Sequence, residues 1–545
     1  MKKYLLLIVL IITSQLMSAQ APAFSWAKAI GNSSSNEKVT GLDVDAGGNV
    51  YIAGEFKDTV DFDPSANVNN LISNGGRDIF VAKYLADGTF VWAYNLGGSG
   101  DDGATDLTVD DSSNIYISGY YNGTVDIDHG PSVHQLAINT LDNGFFLKIN
   151  TNGDYMLSQS ISSPNVESVK AIAVDASHNI FVSGTYTQLT IVSALVPHGL
   201  DDVFLAKFSV GGNYLWAGDI GGSAADDVSS MACDATGNVY LTGSFADIDF
   251  DADPSGGTTT LYAFGNNKDS YIICVRPNGI LKWSNVAGSS FFDEVGEDVV
   301  VDQLGYATSS YRIDVFQCGA IHRNTAGAFM WNSLSGNLPT VQEPSLDVDA
   351  QNNIYITGSF SGTLNNFGFP LYSAGLNDVF LAKIDTTGAL FWEFRVGSTG
   401  EDAAYEMAIG PNSTIYLAGL FSGTVDFNST PTVNTITSNG GTDLFLVKYG
   451  FSPVGIEETS TSLNYELFPN PASNAVSIKL NEGSVKPSSI NVYSVDGYLM
   501  KTVKDVSQVR SDIFTFDIDG FAAGIYFVEI TDGVHKRVKK FIKCD

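Results

Sequence analysis

The sequence predicts an all-β chain: a seven-bladed β-propeller over residues 24–450, closed by its N-terminal strand, and a small C-terminal β-sandwich over 465–545. Three observations carry this expectation. One strand-like phrase returns seven times, as GNVYIAG (48–54), NIYISG (114–119), NIFVSG (179–184), GNVYLTG (237–243), GYATSS (305–310), NIYITG (353–358) and TIYLAG (414–419). A second phrase follows each copy, as in DIFVAK (78–83), DVFLAK (202–207) and DVFQCG (314–319). A third phrase carries tryptophan and is offset by one unit: Trp26 precedes the first copy, whereas the seventh copy ends at LVKYG (446–450) with no Trp strand after it. Self-similarity with a period of tens of residues is the signature of a repeat architecture.

In chain order, residues 1–19 place Lys2 and Lys3 before an apolar run from Tyr4 to Thr13 and then small residues ending at Ala19. That is the plan of a secretory signal peptide cleaved after Ala19. Its apolar core is shorter than the roughly 20 residues a spanning helix needs, so no transmembrane segment is expected after signal removal. Residues 24–31, FSWAKAIG, form the first strand of the body. Each unit then supplies a leading strand, such as GLDVDA (41–46) or TDLTVD (105–110), followed by the two phrases and the Trp strand. The last of these holds Trp92, Trp216, Trp283, Trp331 or Trp392, with Tyr155 in the second unit. The phrases alternate β-branched and aromatic residues with others and are bounded by Gly, Asn or Asp, which is how half-buried strands read. Four strands per unit, with the last unit completed by the N-terminus, leave the ring no open edge.

The pattern W-A-x-x-x-G…D-x-x-G-N-V-Y-[IL]-[AST]-G resembles the SBBP family of bacterial β-propeller repeats over most of 24–450. The resemblance implies the fold and says almost nothing about chemistry. The fifth unit departs most, with GYATSS in the first phrase and the short Trp283-to-Trp331 spacing, so short loops are expected there.

Residues 451–464, FSPVGIEETSTSLN, have no period and collect Ser, Thr, Glu and Pro, as a linker does. From Tyr465 the chain enters at Pro-Asn-Pro (469–471), runs into an alternating strand, turns near Asp496-Gly497 and ends in AAGIYFVEITDG and VHKRVKKFIK, the pattern of a small sandwich. This end resembles the type A C-terminal sorting domain of the type IX secretion system. The motifs that match are FPNP (468–471), the Gly497 turn, GIYFV (524–528) and KKFIK (539–543). The resemblance implies that Pro469, Asn470, Pro471, Gly497, Gly524, Tyr526, Lys539, Lys540 and Lys543 belong to a sorting signal read by the secretion machinery. It also implies passage through the periplasm and across the outer membrane, with release or surface attachment.

The formal net charge is −32, and residues 465–545 balance ten Lys/Arg against ten Asp/Glu, so the body carries the excess. An acidic body repels phosphate backbones and anionic lipid heads, which excludes nucleic acid as a favoured partner. Cations, neutral glycans or proteins are the better ligands. Four cysteines, Cys233, Cys274, Cys318 and Cys544, are too scattered for a disulfide framework, and the first three read as buried thiols.

Acidic clusters recur in two loop types expected on one rim: GGSGDD (97–102) and GSTGED (397–402) in one, TVDFDP (59–64) and DIDFDADP (247–254) in the other. The densest set, Asp247, Asp249, Asp251 and Asp253, has the oxygen chemistry of a Ca²⁺ site. The competing and favoured reading is that each Asp bonds the backbone of its own turn. None of the six histidines shows metal-ligand spacing, and neither a nucleophile elbow nor a phosphate loop occurs in context, so no catalytic residue is assigned. The expected function is an exported binding or adhesion scaffold. The runner-up is a secreted hydrolase or lyase acting on polysaccharide, with carboxylates such as Asp101 and Asp226 as acid and base.

Overall fold

The structure, a computed structural model, describes residues 21–450 and 465–544 apart from 33–36, 137–142, 162–165, 188–194, 196, 247, 266, 315–316, 335–339, 365–369, 429–432, 481–488, 495–498, 504–512, 522–523 and 532–535. The expected signal and linker lie outside these residues. Two compact units divide the chain at Phe451/Ser452. The fold is all-β: among the described residues the single helical element is a 3-10 turn at Pro411–Ser413.

In the first unit, seven antiparallel sheets each order four main strands, and the first adds a short fifth, Val125–Asp126, beside its fourth strand. The main strands of sheet 1 are Lys38–Val44, Val50–Phe56, Asp78–Tyr84 and Phe90–Gly98, in that spatial order. Sheets 2 to 6 repeat this plan over Gly103–Ile161, Val166–Ile220, Asp227–Ala287, Glu294–Leu334 and Thr340–Val396. Sheet 7 takes Asp402–Gly410, Thr414–Asp426 and Thr435–Gly450 from the end of the body and Ala23–Ile30 from its start, with Trp26 opposite Lys448 and Ile30 opposite Leu444. The first strands contact one another in sequence order, and that of sheet 7 contacts that of sheet 1, so the order of contacts is cyclic.

The repeated residues explain why the sheets form and stack. Third strands such as Asp78–Tyr84 and Asp202–Phe208 are buried at every position, because both faces of the sheet are covered. In D-x-x-G-N-V-Y, the Asp45 carboxylate accepts the N–H groups of Gly47 and Asn49 (both 2.9 Å), the Asn49 side-chain amide (2.8 Å) and the Tyr51 hydroxyl (3.0 Å). Asp110, Asp234 and Asp349 repeat the device. Gly48 turns the chain at φ +77, a left-handed conformation that Gly adopts without steric cost. Each Trp ties its sheet to the next. The indole N–H groups of Trp26, Trp216, Trp283 and Trp331 donate to the carbonyls of Ala86, Pro277, Thr325 and Thr386 at 3.0–3.2 Å, and the rings lie on Gly88, Gly279, Gly327 and Gly388 of the same turns. The Trp stripe is therefore inter-sheet packing.

Two expected placements differ. In sheet 2 Leu157, not Tyr155, stands opposite Lys148, where the other sheets place Trp; Tyr155 pairs with Ile149 at the strand's start, the place that Phe90, Tyr214 and Leu390 take in sheets 1, 3 and 6. In sheet 5 the third strand is Gln317–Arg323, so DVFQCG does not align with DVFLAK. Ile313 pairs with Gln317, and Asp314 follows Ile313 at φ +46 instead of beginning the strand. Cys274 and Cys318 are buried as expected, whereas Cys233 is half-buried and lines the central channel.

In the C-terminal unit, Tyr465–Phe468, Ala475–Leu480 and Ile513–Asp517 form one sheet. Leu499–Val503, Ser489–Ser494, Gly524–Thr531 and Lys536–Lys543 form a second. Tyr465, Val476, Ile478, Ile490, Val492, Val528, Ile530 and Phe541 from the two sheets share one core.

Candidate functional site

The first strands of all seven sheets line a central cavity of about 280 Å³. Strand alternation turns every second side chain of a first strand toward this channel; the carboxyls on its wall are that of Glu406 and those of four aspartates bonded to neighbouring sheets, Asp43, Asp106, Asp298 and Asp347. Each aspartate ties its sheet to the next. Asp43 accepts the Val109 N–H (2.7 Å), Asp106 that of Ile172 (2.9 Å), Asp298 that of Leu346 (2.7 Å) and Asp347 that of Ile409 (2.5 Å). The second oxygen of each accepts the N–H of the following residue. Enclosure by protein pushes these carboxyls up: Asp43 to about 6, Asp106 to about 7, Asp347 to about 8, and Asp298 upward as well, against the lowering effect of the N–H donors. Glu297, Glu406 and Lys170 join Asp106 and Asp298 around a second part of the channel.

The loops between second and third strands and those between one sheet and the next meet at one end of the sheets. Gly76 lies against Asp101, Gly199 against Ser223 and Gly265 against Ser290. On these loops Asp249 accepts the Ser223 N–H and hydroxyl (3.2 and 2.9 Å), and Asp251 accepts the N–H groups of Asp253 and Thr259 (3.1 and 2.8 Å). Asp253 accepts the Ser255 N–H and hydroxyl (3.0 and 2.6 Å). Asp251 and Asp253 thus bond within their own loop while Asp249 bridges to the loop at Ser223, and Asp247 lies outside the described residues. Asp61, Asp126 and Asp426 repeat the Asp251 arrangement in sheets 1, 2 and 7. Asp101 accepts the Arg77 N–H (2.8 Å) and Asp226 that of Gly222 (2.7 Å); the repeat equivalent of Asp226 is Asp102, which accepts the Gly98 N–H (2.7 Å). The same loops expose large apolar side chains, including Phe291 (83%), Ile248 (70%), Tyr262 (64%) and Leu200 (64%), with Phe264 and Phe292 beside them.

Spacing along the chain missed one group on this rim. His198, Asp202 and Asp219 bring three metal-competent donor atoms within 4.8 Å of one another. Asp219 stands across the ladder from Phe204, so only strand register could have revealed the neighbourhood.

In the C-terminal unit the sorting motifs meet. The Asn470 side chain accepts the Ile542 N–H (2.9 Å) and donates to the Lys540 carbonyl (3.2 Å), while the Ala472 N–H donates to the Ile542 carbonyl (2.8 Å). Pro469 and Pro471 flank Asn470, both after cis peptide bonds. Gly524 pairs with Lys543, and Tyr526 stacks on Phe541 at 5.5 Å. Lys539 lies over the Tyr465 ring at 5.4 Å, Lys540 is exposed, and Gly497 lies outside the described residues.

Residues 466–544 match the family of the secretion system C-terminal sorting domain. The protein is accordingly exported by type IX secretion to the cell surface or extracellular space, and it engages that secretion machinery. The chain is 22% identical over 498 residues to an uncharacterized WD repeat-containing protein of Acanthamoeba polyphaga mimivirus, covering 80% of this chain and 34% of that protein, so it spans about a third of the relative's length. Among solved structures, a protein of unknown function from Dyadobacter fermentans aligns over 79% of this chain and 99% of its own at 10% identity and a TM-score of 0.40. A puromycin hydrolase mutant aligns over 74% and 62% at 11% identity and a TM-score of 0.36. Similarities this low carry no argument about fold or chemistry.

Proposed function

We propose that residues 24–450 form a seven-bladed β-propeller of SBBP type, closed by the N-terminal strand, that serves outside the cell as a binding or adhesion scaffold. The cyclic contacts of seven sheets with four main strands each support the architecture, as does the relative named for WD repeats. The observation that carries the binding role is the loop rim around sheets 3 to 5, where Leu200, Ile248, Tyr262, Phe264, Phe291 and Phe292 stand exposed between turns that are already satisfied. Apolar and aromatic groups on a polar, acidic rim suit a neutral glycan or a protein surface.

The runner-up, a polysaccharide hydrolase or lyase, draws on Asp106 and Asp298, whose raised affinity for protons is the property a general acid needs. Their oxygens already accept hydrogen bonds from backbone and Ser230, which favours a structural role. A glycan and protein-ligand array with the purified chain, run beside a polysaccharide-degradation screen, separates the two. The scaffold reading expects retention that falls at least tenfold in Tyr262→Ala/Phe291→Ala and is unchanged in Asp106→Asn. Turnover abolished by Asp106→Asn would replace it with the enzyme reading.

A further inference from the structure

We infer that His198, Asp202 and Asp219 form a binding site for a divalent transition-metal cation such as Zn²⁺. The argument rests on three segments that the fold brings together. Asp202 opens the third strand of sheet 3 and is fully buried; Asp219 lies two residues before Gly221 on the fourth strand; His198 is on the loop entering the third strand. The His198 Nδ1 is 2.6 Å from the Asp219 carboxylate and 3.8 Å from that of Asp202, and all three donor atoms fall within 4.8 Å. Ligands at roughly 2.0–2.2 Å around a tetrahedral ion are about 3.3–3.6 Å apart, so small side-chain adjustments would enclose one.

The repeats provide an internal comparison. In sheets 1, 6 and 7 the Asp that opens the third strand also accepts the N–H of the residue four before it: Asn74 for Asp78, Ala374 for Asp378 and Asn439 for Asp443. The residue two before the packed glycine is Asn95, Arg395 or Ala29 in those sheets. Arg395 neutralises Asp378 at 2.5 Å. Sheet 3 does the opposite: it sets a second carboxylate, Asp219, beside the buried Asp202 and adds an imidazole where the others have an amide or a methyl. Nothing in the shared loop geometry requires that substitution, whereas an imidazole with two carboxylates is a donor set for a borderline cation.

The surroundings hold the donors in place. The Tyr186 hydroxyl donates to one Asp219 oxygen and leaves the other toward His198, and the His198 backbone N–H donates to Asp202 (2.6 Å). Such outer hydrogen bonds orient metal ligands. His198 is exposed, so coordination positions not filled by protein open on the loop rim and are accessible to water or to an oxygen of a bound ligand.

The test is titration of the metal-stripped full chain with Zn²⁺ by calorimetry, and with Co²⁺ by visible absorption. One saturable equivalent is expected, with a Co²⁺ band in the visible and a raised melting temperature. Affinity should fall at least tenfold in His198→Ala and in Asp219→Asn, each a rim substitution, and be unchanged in His178→Ala, which removes a different His–Asp pair. Absence of saturable binding, or binding that His198→Ala leaves intact, would reduce the cluster to a His–Asp ion pair and overturn the assignment. A fold check by circular dichroism on each variant keeps loss of binding distinct from loss of structure.

Discussion

Asp251 accepts two backbone N–H groups across a loop, from Asp253 at 3.1 Å and Thr259 at 2.8 Å, and its repeat partners do the same. Replacing it with alanine should cost about 1–2 kcal/mol by leaving those donors without their acceptor, and the turn reading expects the same loss with calcium or with chelator. A calcium site using Asp249, Asp251 and Asp253 would instead add about 2.7 kcal/mol at a hundredfold excess over its dissociation constant. Thermal unfolding in both conditions decides, since only a calcium-dependent shift that vanishes in Asp251→Ala assigns an ion. The channel carboxyls make a separate expectation. Burial raises Asp347 from 3.8 to about 8, so between about pH 4 and pH 8 the folded state keeps a proton that the unfolded chain has released. Stability must then fall as pH rises through that window, and Asp43 and Asp106 add to the slope. Asp347→Asn keeps an acceptor for the Ile409 N–H but cannot ionise, so its deficit should shrink from pH 5 to pH 8 in denaturant titrations. A deficit constant with pH would show that Asp347 does not titrate in this range.

At the scale of strands, Ala23–Ile30 completes sheet 7 from the far end of the chain, and Trp26 reaches the turn at Ala86–Gly88 of sheet 1. Deleting residues 21–31 uncovers the edge at Leu444–Gly450 and removes a half-buried indole, a loss of at least about 3 kcal/mol by the usual cost of a Trp truncation. Melting like that of the parent would refute closure by this strand. The pairing was readable because a missing Trp strand at one end and a surplus one at the other can be counted in the sequence. The sheet 5 third strand was not readable, whereas Leu157 was open to a different count. DVFQCG and QCGAIHR both alternate acceptably, and only the pairing of Ile313 with Gln317 selects the second. Leu157 stands four residues after Gly153, the spacing that Trp92 and Trp216 keep from Gly88 and Gly212, so counting from the turn glycine finds it where matching aromatic residues does not. The His198 cluster was hidden as the sheet 5 pairing was, since ladder register across two strands brings Asp219 to a loop residue 21 positions away.

For the whole molecule, the separation into two compact units at Phe451/Ser452 implies that export and ligand binding can be broken independently. The body carries the −32 charge and the loop rim, while the C-terminal unit is electrically balanced and has its own core. Within that unit Asn470 holds the FPNP segment to the last strand through Ile542 and Lys540, so one side chain joins two of the motifs that carry the sorting resemblance, beside the backbone bonds of Ala472. Asn470→Ala should destabilise the C-terminal unit by about 1–2 kcal/mol, leave the melting of the body unchanged, and lower delivery to the cell surface. Removal of 465–545 should abolish delivery and strand a folded, protease-resistant body in the periplasm. Fractionation with immunodetection of residues 21–450 reads both effects, and surface accumulation of the truncated chain at the parent level would show that the sorting unit is dispensable. If Asn470→Ala alone impairs delivery while calorimetry finds the C-terminal unit as stable as the parent's, the secretion machinery reads the geometry of the Pro469-Asn470-Pro471 segment directly. If delivery falls only in proportion to stability, the machinery requires a folded sandwich and the Asn470 contacts matter through folding alone.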